Sequence, residues 1–276
     1  MKKTRLNSAT DGINDALRLQ RGLYTSRNPT RKWLHTSRLQ WLIDTAGRYF
    51  PPGAKGPVID IGTGCGILLP ALSRHFESVI ALDLETEFLK QVKTGFKENK
   101  AMQWLAGDAR FLPIRDNVAD LVVCAEVLEH IDSGLVCLKE IYRVLKPGGI
   151  LLLSTPQPFS LLEITAGILL RRPVISLVRK IYREPVLPTG HINLMTSRRL
   201  NESLARIGFT VLEIHKSGLY LPGLAETSAR FAQRLAAALN TRLFNTKLDF
   251  LLWTQFFVAG KPAAGRGRPR PAKEQP

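Results

Sequence analysis

Val58-Ile59-Asp60-Ile61-Gly62-Thr63-Gly64-Cys65-Gly66 is an apolar strand that runs straight into a glycine-dense turn. A strand buried on both faces reads as near-continuous Val and Ile, the mark of a parallel sheet. Glycines at alternate positions remove Cβ from the turn, so backbone can approach a ligand where such a sheet changes direction. The spacing is Gly-x-Gly-x-Gly with Ile at position 67, so the nicotinamide fingerprint Gly-x-Gly-x-x-Gly is not met.

Outward from this run, residues 57–155 alternate strand-like and helix-like segments, which predicts a parallel sheet with crossover helices. Strands are expected near 57–61, 78–82, 102–105, 119–124 and 149–154, and helices near 66–76, 85–99 and 133–145. Lys146-Pro147-Gly148-Gly149 reads as a stop and turn before the strand Ile150–Leu153. Thr196–Ile207 reads as a helix closed by Gly208, followed by strands over Phe209–His215 and Leu252–Ala259.

Three stretches stand outside the alternation and set the expected organisation. Residues 1–50, helical over Thr30–Tyr49 and ended by Pro51-Pro52-Gly53, are an N-terminal lid. Residues 51–260 are the main domain, with cap insertions at about 156–190 and 217–250. The first insertion carries Arg171, Arg172, Arg179, Lys180 and Arg183. In the second, Phe231, Leu235, Leu239 and Leu243 recur every fourth residue beside Arg230, Arg234 and Arg242. Residues 261–276 form a disordered basic tail, because Gly265-Arg266-Gly267-Arg268-Pro269-Arg270-Pro271 is too rich in Pro, Gly and Arg to pack.

The chain has 276 residues, of which 45% are hydrophobic and 22% charged, enough for a sizeable core in one large domain. Three cysteines without regular spacing suit a reducing compartment. Polar residues follow Met1-Lys2-Lys3, and no window reaches about 18 apolar residues, so the expected location is cytoplasmic. The net charge is +16, distributed as +7 over 1–50, −2 over 51–155, +7 over 156–260 and +4 beyond. Basicity in the flanks, and not around the glycines, suits either simple solvation or attraction to an anionic partner such as a membrane surface.

Asp83 ends the second expected strand, 21 positions after Gly62, where a carboxylate reaches the ribose hydroxyls of a nucleotide-like ligand. Asp108 ends the third strand, where an adenine amino group is met, and Asp60 orients the glycine turn from beneath. Acidic residues at successive strand ends suit a cofactor that carries positive charge and no phosphate. His130 lies just past the fourth strand, and His191 where the chain returns from its first excursion. Each imidazole can deprotonate a hydroxyl near neutral pH, or simply pack or cap a helix.

In these motifs the chain resembles the class I S-adenosylmethionine-dependent methyltransferases, in particular the methyltransferase type 11 and ubiquinone-biosynthesis O-methyltransferase-like group. The resemblance covers about Val58 to Gly208 and includes Gly107-Asp108-Ala109, Leu112-Pro113-Ile114, Asp120–His130 and Leu145–Gly149. It implies an α/β, Rossmann-like, doubly wound seven-stranded sheet with the last strand antiparallel, here with helical cap insertions. It implies S-adenosyl-L-methionine as cofactor, with Gly62, Gly64 and Gly66 along its methionine moiety, Asp83 on the ribose, and Asp108 with Ala109 at the adenine. Asp60, Leu84 and Glu126 complete that expected binding set. Glu126-x-x-Glu129-His130 also looks like the metal-binding segment of two subfamilies, and His191 lies where some of those proteins bring a further histidine. Two carboxylates with imidazoles would suit Mg²⁺ or Mn²⁺.

Methyl transfer from a sulfonium needs positioning and, for some acceptors, a base. His130, His191 and Glu129 are the candidates for that work. The expected reaction is O-methylation of a small, amphiphilic or anionic molecule. Two rivals are methylation of RNA and a cofactor-binding module without catalysis. The nucleic-acid rival gains from the charge and loses because no aromatic cluster or Asn-Pro-Pro-Tyr-like base-flipping motif accompanies the site.

Overall fold

A computed structural model describes residues 2–169 and 191–263. The basic residues expected in 171–183 and the tail from 264 lie outside the described residues.

The first five strands are β1 (Ala54–Ile61), β2 (Phe76–Asp83), β3 (Met102–Ala106), β4 (Ala119–Ala125) and β5 (Leu145–Pro156). They are joined by α3 (Leu69–His75), α4 (Thr86–Lys93) and α5 (Gly134–Val144). With β6 (Thr210–Ser217) and β7 (Thr254–Gly260) they make one seven-stranded sheet in the order β3-β2-β1-β4-β5-β7-β6. The first five run parallel, and β7 lies antiparallel between β5 and β6. The order reverses at β1, which pairs with β2 on one side and β4 on the other. That is where a crevice opens at the carboxyl ends of strands.

Alternate strand residues feed two apolar layers. Ile59, Ile61, Val122, Cys124, Leu151 and Leu153 face one layer with α5 and α7 (Ser197–Ile207). Val58, Leu121, Val123, Ile150 and Leu152 face the other. That second layer also takes Leu42 and Ala46 of α2 (Pro29–Tyr49), so α2 is part of the core packing and not merely an appendage. Asn28 caps α2, accepting from the amides of Thr30 and Arg31 at 3.0 and 3.1 Å, with Pro29 at the first turn. Ahead of it, α1 (Lys2–Tyr24) is a second helix of the N-terminal stretch expected to be helical.

Two local expectations change. Lys146-Pro147-Gly148-Gly149 does not precede the fifth strand but lies within it. Leu145 already pairs with Ala119, and a register shift between Ala119 and Leu121 absorbs the extra residues, with Gly148 at φ +84°. The stripe Phe231/Leu235/Leu239/Leu243 on α9 (Ala229–Leu243) is not one buried face: Phe231 is 60% exposed, while Ala232 and Ala236 point inward. A spacing of four outruns the 3.6-residue turn, so the row drifts around the helix over three steps. Leu239 and Leu243 do pack, with Ala236, against Leu219 and Leu252. Between β6 and α9 lies the short α8 (Leu224–Thr227), and after β5 comes α6 (Leu161–Leu169).

Candidate active site

The glycine turn forms because three consecutive constraints require it. Gly62, Gly64 and Gly66 have φ of +68°, +49° and +73°, a region that costs other residues a steric penalty. The amides of Gly62 and Thr63 donate to Leu82 O at 2.8 and 3.0 Å, which staples the turn to the end of β2. A Cβ on Gly62 would stand 2.3 Å from Val127 Cγ2, and one on Gly66 would stand 2.4 Å from Val92 Cγ1.

Two carboxylates lie under this turn. Asp60 is buried and accepts from Thr63 Oγ1 at 2.7 Å. Burial pushes its carboxyl up to about 7; the Thr63 bond opposes the rise and the charge of Asp83 adds to it. Asp83 Oδ2 accepts from Gly64 N at 2.8 Å, and its Oδ1 accepts from Glu85 N at 2.9 Å. Next to it Leu84 is 66% exposed, an apolar surface at a strand end. A cation with a flat apolar part and hydroxyls fits this set of groups: two buried acids, one of them raised to about 7 chiefly by its burial, glycine backbone above, and an exposed leucine beside. S-adenosyl-L-methionine has that chemistry.

Asp108 lies two residues past the end of β3, and its carboxylate is committed to Arg110, whose Nη2 donates to Oδ2 at 2.7 Å and whose Nε donates to both oxygens at 3.0–3.1 Å. That pairing holds Asp108 below the usual carboxylate range. An adenine amino group would share those oxygens with Arg110. Ala109 is buried beside it.

After β4 the chain turns through Glu126 at φ +57°, a strained position for a side-chain-bearing residue. Three contacts hold it. Its amide donates to Ser154 O at 3.0 Å, its Oε1 accepts from Ser154 Oγ at 3.0 Å, and its Oε2 lies 2.7 Å from Arg38 Nη1 of α2. Glu129 follows, fully buried, with Oε2 accepting from Thr155 Oγ1 at 3.0 Å and Oε1 without a hydrogen-bond partner among the described residues. Burial, and then the Glu126 charge, raise its carboxyl well above the usual range.

His130 closes the turn Leu128–His130, and the His130 and His191 rings stand 5.2 Å apart. The amides of Ile192 and Asn193 donate to Glu129 O at 2.9 and 3.0 Å, which brings His191 to this edge. Glu129, His130 and His191 each offer a ligating atom within 4.8 Å of the others, a set able to accept protons or to hold a divalent ion.

Some contacts had no sequence signal. Gln20 of α1 reaches the glycine turn: a Cβ on Gly64 would lie 2.7 Å from its Oε1. Arg38 secures Glu126, and Glu163 of α6 lies 3.1 Å from His191 Nδ1. Glu163 alone left a trace, as a carboxylate inside the apolar stretch Leu161-Leu162-Glu163-Ile164.

The family model described as "Methyltransferase domain" matches residues 59–153. The chain is 36% identical over 110 residues to malonyl-[acyl-carrier protein] O-methyltransferase of Marinomonas sp. (strain MWYL1), covering 39% of this chain and 41% of that protein. It is 33% identical over 151 residues to ubiquinone biosynthesis O-methyltransferase of Xanthomonas campestris pv. campestris (strain B100), covering 51% of this chain and 61% of that protein. The chain thus spans about half the length of the curated relatives it matches. Among solved structures, the [4+2]-cyclase SpnF superposes with a TM-score of 0.56 at 20% identity over 81% of each chain, a likeness of fold alone. No helix among the described residues is long and apolar enough to cross a membrane.

Proposed function

We propose that this chain, whose residues 59–153 match the methyltransferase-domain family model, moves the methyl group of S-adenosyl-L-methionine to an oxygen of a small acceptor. The observation that carries the reading is the pairing of buried Asp60 and Asp83 beneath a turn of three positive-φ glycines, next to a cluster of proton acceptors. Oxygen is favoured because both relatives above are named as O-methyltransferases and because imidazoles near neutral pH suit removal of a hydroxyl proton.

When bound, the cofactor supplies an electrophilic methyl group on a cationic sulfur. The chain's own residues do the rest. Asp83 holds Gly64 N and has further lone pairs for ribose hydroxyls, and Asp60 adds negative field beneath the turn. Leu84 offers an apolar surface for the adenine. His191 and His130 stand ready to take the acceptor's proton, with Glu129 behind them. Gln20 and α1 lie over the glycine turn, and we assign α1 the part of lid there.

Calorimetric titration with the cofactor and its demethylated product tests binding. Transfer of a labelled methyl group into a lipid and quinone extract, against bulk RNA, tests the acceptor class. Absence of binding to either cofactor form would remove the reading, and label entering RNA alone would replace the acceptor. The same fold is also found in a protein named as a [4+2]-cyclase, so the fold by itself does not establish transfer. The solvent side of α9, with Arg230, Phe231, Arg234 and Arg242 exposed, supports peripheral contact with an anionic membrane. Co-sedimentation with anionic but not neutral vesicles is the expected result.

A further inference from the structure

Glu163 stands in the first turn of α6 and is 9% exposed. A carboxylate withdrawn from water needs a donor on each oxygen. Here Oε1 accepts from the Trp253 indole N–H at 3.1 Å, and Oε2 lies 3.1 Å from His191 Nδ1. Indole nitrogen only donates, so the Trp253 side of the carboxylate is fixed as an acceptor. The other oxygen of the ionised group also only accepts, so the proton of neutral His191 sits on Nδ1. Its Nε2 then carries the lone pair.

We infer that Glu163 is a positioning residue for the methyl transfer proposed above: it holds His191 in the Nδ1–H tautomer and so makes Nε2 the atom that takes the acceptor's proton. The inference rests on that reading of the site and adds a residue to it. In the step, the acceptor's O–H bond breaks and its proton forms a bond to Nε2, giving an imidazolium whose Nδ1–H stays on Glu163. The freed oxygen pair bonds to the methyl carbon as the carbon–sulfur pair returns to sulfur. Ile192 and Asn193, clasped to Glu129 O, keep the ring at the same edge as His130.

The test is the full chain with ¹⁵N-labelled histidine, examined by long-range ¹H–¹⁵N spectra over a pH series and read where the His191 ring is seen to be neutral. Wild type is expected to show His191 as Nδ1–H. In Glu163→Gln the amide must keep its oxygen on the Trp253 N–H, which turns its NH₂ toward His191 and forces the Nε2–H tautomer. Turnover should then fall about 100-fold or more, within the range a general base contributes, with KM and cofactor affinity unchanged. Adding Trp253→Phe frees the amide to flip, so the double variant should show both tautomers and recover part of the turnover. Trp253→Phe alone leaves the carboxylate charged and should keep the tautomer.

An Nε2–H His191 in wild type, or an unchanged tautomer in Glu163→Gln, overturns the inference. The expected tautomers together with no cofactor binding would instead sink the methyl-transfer reading and uphold the hold of Glu163 on His191.

Discussion

Arg38 Nη1 lies 2.7 Å from Glu126 Oε2, an ion pair with side chains 8% and 17% exposed that fastens helix α2 to the turn after β4. The guanidinium also sits 5.3 Å from the Trp253 ring and 3.3 Å from His35 Nδ1. Burial and the two arginines Arg38 and Arg31 hold His35 well below its usual range, so it adds no positive charge beside Arg38. Removing one member of so enclosed a pair strands the other charge. Arg38→Met should destabilise the fold by about 3 kcal/mol, and Arg38→Met with Glu126→Gln should recover much of that loss. Urea denaturation of Arg38→Met, Glu126→Gln and the double variant decides it; simple addition of the single losses would show that the pair is not coupled.

Gly64→Arg should weaken cofactor binding at least 100-fold while far-UV circular dichroism stays unchanged. Position 64 combines φ +49° with Gln20 already at 2.7 Å from where a Cβ would stand, so any side chain enters the space assigned to the ligand. Retained affinity in calorimetry would contradict the location of the site.

Asp60 gives the site a pH signature. Its folded pKa, about 7, lies above the ordinary 3.8, so the folded protein holds a proton that the unfolded chain has already released. Stability from this group is therefore present at low pH and lost as pH rises from near 4 to about 7. A bound sulfonium favours the ionised carboxylate. Cofactor affinity should thus rise through neutrality, with a proton released on binding. Titration in two buffers of different ionisation enthalpy measures that proton, and Asp60→Asn should abolish its release.

Dialysis against a chelator should leave methyl transfer unchanged, because burial raises the Glu129 carboxyl above its usual range and so disfavours the ionised form that a divalent ion needs. Loss of activity restored by Mg²⁺ or Mn²⁺ would reassign Glu129, His130 and His191 from proton transfer to holding an ion.

The sheet and the glycine turn were legible because their signals are local. Val58–Ile61 is a run that only a doubly buried strand explains, and Gly62–Gly66 follow it without a gap. The rest depends on contacts across long stretches of chain. Gln20 meets Gly64, Arg38 meets Glu126, and Glu163 meets both His191 and Trp253. None of these leaves a period or a spacing in the sequence. Phe231 shows the converse, since its regular spacing suggested burial while small alanines one position on provide the closer packing surface.

The position of β7 governs how the molecule can be made. All seven of its residues are buried, and it slots between β5 and β6. A nascent chain that has emerged only as far as β6 therefore carries an open β5 edge, with Leu151 and Leu153 lacking their cover, until residues 254–260 leave the ribosome. Completion of the sheet's centre therefore waits on residues 254–260, and a chain stalled before them is a candidate for chaperone capture at that unzipped seam.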